Sequence, residues 1–87
     1  MVYYYVTLGS KSHAFYLEQR MRMNNIRCEL TYMPREIMID ACNMGVRFPE
    51  SELQRAISLI RNTGLPGIKI YKQKVNPHGY TYEQVFF

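Results

Sequence analysis

Residues 49–75, PESELQRAISLIRNTGLPGIKIYKQKV, hold the pattern from which the fold follows. Pro49 suits the first position of a helix, where its missing amide proton would find no partner anyway. Glu50 and Glu52 put negative charge at the positive end of the helix dipole. Leu53, Ala56, Ile57 and Ile60 recur at helical spacing, Arg61 falls in the last turn, and Gly64 supplies a left-handed C-terminal cap. Leu65-Pro66-Gly67 then turns the chain into a strand from Ile68 to Val75. There Ile68, Ile70 and the stem of Lys72 share one face, and Lys69, Tyr71 and Gln73 the other.

Working outward, the first half of the chain repeats the order of strand, helix and strand. Val2 to Leu8 is rich in Tyr, Val and Thr and ends at Gly9-Ser10. Ser10 or Ser12 caps a helix running to about Asn24, with Ala14, Leu17 and Met21 inward and Glu18, Arg20 and Arg22 facing water. Ile26, Cys28, Leu30 and Tyr32 alternate with Arg27, Glu29 and Thr31, the period of a half-buried strand. Pro34 ends it, Arg35 to Ala41 suit a short helical turn, and Val46 to Phe48 suit a very short third strand. Asn76-Pro77-His78-Gly79 is turn chemistry, and Tyr80 to Phe87 has strand composition, so a terminal hairpin is expected. The fold class is α+β: a ferredoxin-like βαββαβ sandwich with an added C-terminal strand. Residues 1–87 form one domain in this reading, with 76–87 as its hairpin extension.

At 87 residues the core is thin, with roughly 60–65% of the unfolded surface hidden. An apolar fraction of 47% against 21% charged excludes a disordered chain. The net charge of +4 is dispersed, without a block of like charges, so nucleic acid is not the expected partner. The apolar opening, Met1 to Leu8, is too short for a membrane span or a signal peptide, and a cytoplasmic location is expected. In that reducing compartment Cys28 and Cys42 are thiols.

Little in the sequence supports a built-in catalytic constellation. Glu50 and Glu52 are accounted for by the dipole, Glu36 and Asp40 by an i, i+4 pair, and no Gly-rich phosphate loop occurs. His13 and His78 lack metal-site spacing, so neither metal nor cofactor is expected. The most informative segment is 33–48, MPREIMIDACNMGVRF, which sets Cys42 after a short turn beside Asn43 and Gly45, residues tolerant of unusual backbone angles. Arg35 and Arg47 flank it, and positive charge lowers a thiol's pKa from about 8.5. On composition alone, a small buried hydrophobe is the stronger reading of Cys42. Cys28 is explained by its place in the alternating strand.

Pro34-Arg35-Glu36, the interval to Cys42, Arg47-Phe48, and the helix with Leu53 and Ala56 resemble the small bacterial family called putative selenium/sulfur carrier protein-like. The opening strand and the helix around His13, Ala14 and Glu18 resemble it too, and the likeness covers about residues 4 to 71. That pattern has glycine after the cysteine, where this chain has Asn43, the next best residue for a left-handed backbone. The resemblance implies a carrier rather than a free-standing enzyme: Cys42 holds sulfur or selenium as a persulfide or selenopersulfide between donor and acceptor proteins. Pro34, Arg35, Asn43, Gly45 and Arg47 surround it as binding residues, the arginines steadying the anionic chalcogen.

Two other classes compete. A non-catalytic interaction or regulatory module needs only the fold, and an aromatic edge strand from Tyr80 to Phe87 calls for a cover, which a homodimer would supply. RNA binding through Tyr4-Tyr5-Val6-Thr7-Leu8 is the weaker alternative. Val46-Arg47-Phe48 is too short for the basic, aromatic third-strand motif that such domains carry.

Overall fold

The computed structural model describes residues 1–38 and 43–87. The segment Leu8-Gly9-Ser10 ends strand β1 (Tyr3–Thr7) and starts helix α1 (Lys11–Met23), because the Ser10 side chain accepts the backbone N–H of His13 at 3.2 Å. Ala14, Leu17 and Met21 line the buried side of α1 as their spacing predicts. Asn24 caps its end, and Asn25, at φ 57, reverses the chain. Strand β2 is Glu29–Tyr32, a short 3-10 turn spans Arg35–Ile37, and strand β3 is Met44–Pro49. A second 3-10 turn, Glu50–Glu52, leads into helix α2 (Leu53–Thr63), which Gly64 closes at φ 71. Strands β4 (Lys69–Asn76) and β5 (Gly79–Val85) form the expected hairpin.

The result is a mixed α+β fold: a five-stranded sheet in the order β2-β3-β1-β4-β5, antiparallel at every pairing, with two helices. Tyr4, Val6, Val46, Phe48 and Ile70 face the helices and meet Ala14, Leu17, Met21, Ala56 and Ile60 in the main core. The Tyr4 and Phe48 rings stack there with centroids 5.6 Å apart. Val85 joins this side from β5, in keeping with its alternation. The other face carries Tyr3, Tyr5, Tyr71 and Tyr82, and Met33 and Ile37 fold over it to make a second, smaller cluster.

Several boundaries differ from the sequence reading. The strand expected from Ile26 begins at Glu29, with Ile26 already in the core, and the expected third strand of Val46 to Phe48 extends over Met44–Pro49. Pro49 does not open the helix; at φ −75 and ψ 158 it is the last extended residue of β3, and α2 starts at Leu53. The reason is Glu52. The residue is 9% exposed, and its carboxylate accepts the backbone N–H of Arg27 at 2.6 Å and the Arg55 guanidinium at 2.9 Å. Glu52 is thus a tertiary anchor, and its charge is not spent on the helix dipole alone. The helical turn expected over Arg35 to Ala41 spans Arg35–Ile37 and is extended by Met38; Ile39, Asp40 and Ala41 lie outside the described residues. No helix among the described residues is long and apolar enough to cross a membrane.

Candidate functional site

The segment between β2 and β3 leaves the sheet at Met33 and returns at Asn43. These two residues close its base: the Met33 N–H donates to the Asn43 carbonyl at 2.7 Å. The two ends of this segment are therefore tied to each other. Its first half is held down by side chains, because Met33 and Ile37 are buried against Tyr5 on the helix-free face. Pro34 stands at the cap of the 3-10 turn, in extended conformation at ψ 146, and Arg35 and Glu36 project outward, exposed. Cys42 and Asp40 lie outside the described residues.

Gly45 does not play the backbone role expected of it. Among the described residues Gly64, Gly67 and Gly79 are the glycines with positive φ, and Gly45 is not one of them. Gly45 instead sits inside β3 opposite Thr7, where a Cβ would come 2.3 Å from the Val6 carbonyl oxygen and 2.7 Å from the Met33 sulfur. Glycine is required there by close approach of a neighbouring backbone and by the loop side chain lying across it. Asn43 buries its Oδ1 with no hydrogen-bond partner among the described residues, and the Thr7 hydroxyl, in the strand that borders β3, is in the same condition.

Arg47 is engaged by residues of β1 and β2. It lies opposite both Tyr5 and Glu29, donates to the Glu29 carboxylate at 2.7 Å, and sets its guanidinium over the Tyr3 ring 4.4 Å from the centroid. Tyr3 pairs with Pro49, so this charge sits toward the end of β3 remote from Gly45. Pro34, Arg35, Asn43 and Gly45 stand at or next to the ends of this segment, and Arg47 reaches Tyr5, on which Met33 and Ile37 pack, as well as Glu29 and Tyr3. A shallow groove of about 220 Å³ opens beside Arg47, lined by Tyr3, Arg27, Cys28, Glu29 and Pro49. Burial pushes the Arg47 pKa down, but contact with Tyr5 and Glu29 outweighs it and the net shift is upward.

Cys28 immediately precedes β2, half-buried against the main core, with its thiol 3.8 Å from the Glu18 carbonyl oxygen. Burial pushes its pKa up, with Arg22 opposing. A thiol in that state is a poor nucleophile. His13 sits in the first turn of α1 and His78 in the tip of the hairpin.

Sequence reasoning missed Met33 as the side chain that covers Gly45, and Tyr3 as the support of Arg47. The alternation of Tyr3 and Tyr5 in β1 was the available signal, since both point to the face that receives Met33 and Arg47.

Comparison with known protein families matches residues 3–72 to the family described as "Putative Se/S carrier protein-like". No curated protein and no solved structure matches the chain.

Proposed function

The chain belongs to the "Putative Se/S carrier protein-like" family, and from that membership we propose that it carries sulfur or selenium on Cys42 as a persulfide or selenopersulfide. The observation that carries the reading is the match itself, which spans the whole segment from Pro34 to Phe48. Loading is a thiol exchange. The Cys42 thiol loses its proton and the thiolate attacks the outer chalcogen of a donor protein's persulfide or selenopersulfide. A new bond forms to Cys42 Sγ, the donor's own chalcogen bond breaks, and the donor leaves as a thiolate. An acceptor nucleophile reverses the transfer.

Three features support the cysteine's suitability. The two ends of the segment that contains Cys42 are tied together by the Met33–Asn43 hydrogen bond. Arg35 is exposed on that loop and available to an anionic sulfur, whereas Arg47 is committed to Glu29 and Tyr3; we assign the electrostatic role to Arg35 alone. Cys28, half-buried with its pKa raised by that burial, is the weaker nucleophile, which favours Cys42. Donor and acceptor proteins dock on the loop face, in the reducing cytoplasm, and the protein works as a carrier without a substrate pocket of its own.

We read the first four strands, ordered β2-β3-β1-β4 with helices after β1 and β3, as a ferredoxin-like unit to which β5 is added at the edge, within one domain. RNA binding gains no support. Tyr5 is 7% exposed beneath Met33 and Ile37 and offers no ring for a base to stack on.

The test is loading of the purified chain with a small-molecule persulfide donor, followed by intact and peptide mass spectrometry. The expected result is one added sulfur on the peptide holding Cys42, lost on treatment with a thiol reductant and absent from Cys42→Ser. Added sulfur on Cys28 alone, or none, would reject the carrier reading.

A further inference from the structure

The family match stops at residue 72, and so does the pairing of β4 with β1, which covers Lys69 to Lys72. Beyond that point the backbone ladder of the hairpin is between its own two strands, although Tyr82 still rests against Tyr5. Lys74 to Asn76 pair with Gly79 to Thr81 and project past Tyr3, the first residue of β1. Isolated two-stranded ribbons are marginal in water. This one carries exposed apolar side chains at both ends of β5: Val75 and Tyr80 near its tip, 78% and 56% exposed, and Phe86 just past its last residue, 82% exposed.

The outer edge of β5 is also undefended. Natural edge strands are blunted with lysine, proline, a bulge or short length. β5 runs for seven residues, Gly79–Val85, contains neither lysine nor proline, and has Glu83 as its one charged side chain. The opposite edge, β2, is four residues long.

We propose that β5 is the seam of a two-fold dimer, pairing antiparallel with β5 of a second copy in the register centred on Tyr82. That register pairs Gly79 with Val85, Tyr80 with Gln84, Thr81 with Glu83, and Tyr82 with itself, so all seven residues of the strand are used. It sets the exposed tip of each hairpin beside the Phe86 end of the other copy, so the two apolar ends cover one another. On the opposite face the electrostatics agree. Lys72 lies directly across from Glu83 in the hairpin, and Lys74 reaches its carboxylate at 3.0 Å. In the dimer the two Glu83 side chains become diagonal neighbours bracketed by Lys72 and Lys74 of both copies. Shifting the centre to Glu83 would set the two carboxylates directly opposite, which cross-strand pairs disfavour. Pairing β5 with β2 of another copy would leave both outer edges open and grow a filament, whereas β5 with β5 closes.

The experiment uses the full chain with Cys28→Ser and Cys42→Ser, into which Thr81→Cys, Tyr82→Cys or Glu83→Cys is introduced singly and exposed to mild oxidant. A residue on the two-fold axis meets its own copy within disulfide range, and its neighbours do not. Tyr82→Cys should cross-link several-fold faster than the other two. Light scattering of the unmodified chain at tens of micromolar should give a dimer. Glu83→Lys, its fold checked by circular dichroism, should weaken that dimer at least tenfold. A monomer at that concentration, faster cross-linking through Thr81→Cys or Glu83→Cys, or a dimer indifferent to Glu83→Lys would each overturn the proposal.

Discussion

The carboxylate of Glu52 and the backbone N–H of Arg27 lie 2.6 Å apart, joining the start of α2 to the chain entering β2 across 25 residues of sequence. This hydrogen bond holds the Glu52 pKa below its ordinary value, with Arg55 adding to the effect and burial opposing it. A carboxylate with a depressed folded-state pKa contributes stability above the unfolded glutamate value of about 4.3. That contribution is lost as pH falls through the lower folded-state value. Glu52→Gln should therefore melt below the wild-type chain at neutral pH, with the gap in Tm closing as the pH drops below about 4. A gap that stays constant to pH 3 would show that the charge of Glu52 is not what matters.

Gly45→Ala should be among the most costly single substitutions in the sheet. The added carbon meets the Val6 carbonyl oxygen at 2.3 Å and the Met33 side chain at 2.7 and 2.8 Å. The sulfur can move, but the strand backbone cannot without breaking the ladder between β1 and β3. We expect a loss of about 3 kcal/mol or more in denaturant unfolding. Gly9→Ala is the control, because nothing lies within 4 Å of its added carbon. It should change stability by less than about 0.5 kcal/mol.

Alkylation under native conditions should separate the two cysteines. Cys28 is half-buried and its pKa is raised by that burial. Timed iodoacetamide labelling read by peptide mass spectrometry should strike Cys42 first, and Cys28 should catch up only when the chain is unfolded. Faster native labelling of Cys28 would contradict both its packing and the assignment of the carrier role.

Asn43→Ala should leave stability unchanged or raise it by up to about 1 kcal/mol, since a buried acceptor left unmade costs about that much or more. The Asn43 Oδ1 is such an acceptor among the described residues. A loss of more than about 1 kcal/mol in the unfolding free energy would mean that the side chain is bonded after all.

What could be read in the sequence was local. The stripe of Ala14, Leu17 and Met21, the Ser10 cap, the left-handed Gly64 and the turn at Asn76 to Gly79 each depend on residues within a few positions of one another, and each stands where its pattern put it. The misreadings share the opposite property. Pro49 looks like a helix start until Glu52 is seen to be held by Arg27, and Gly45 looks like a flexible loop glycine until Val6 and Met33 are seen on either side. The contacts of Arg47 with Glu29 and Tyr3 likewise come from strands distant in sequence. Neighbours contributed by other strands decide these positions, and no window of sequence contains them.

The central place of β1 has a consequence for how the protein is made. Tyr3–Thr7 is made before the other strands, but its two sheet partners are β3 and β4, and the pairing with the second is not complete until Lys72. Roughly 65 residues separate Thr7 from Lys72, which at cellular rates of synthesis takes about 3–13 s. Even once β3 is complete at Pro49, a strand of three successive tyrosines keeps one edge unpaired until β4 follows. The nascent form, rather than the finished one, is where this edge is most exposed to capture by chaperones or to aggregation.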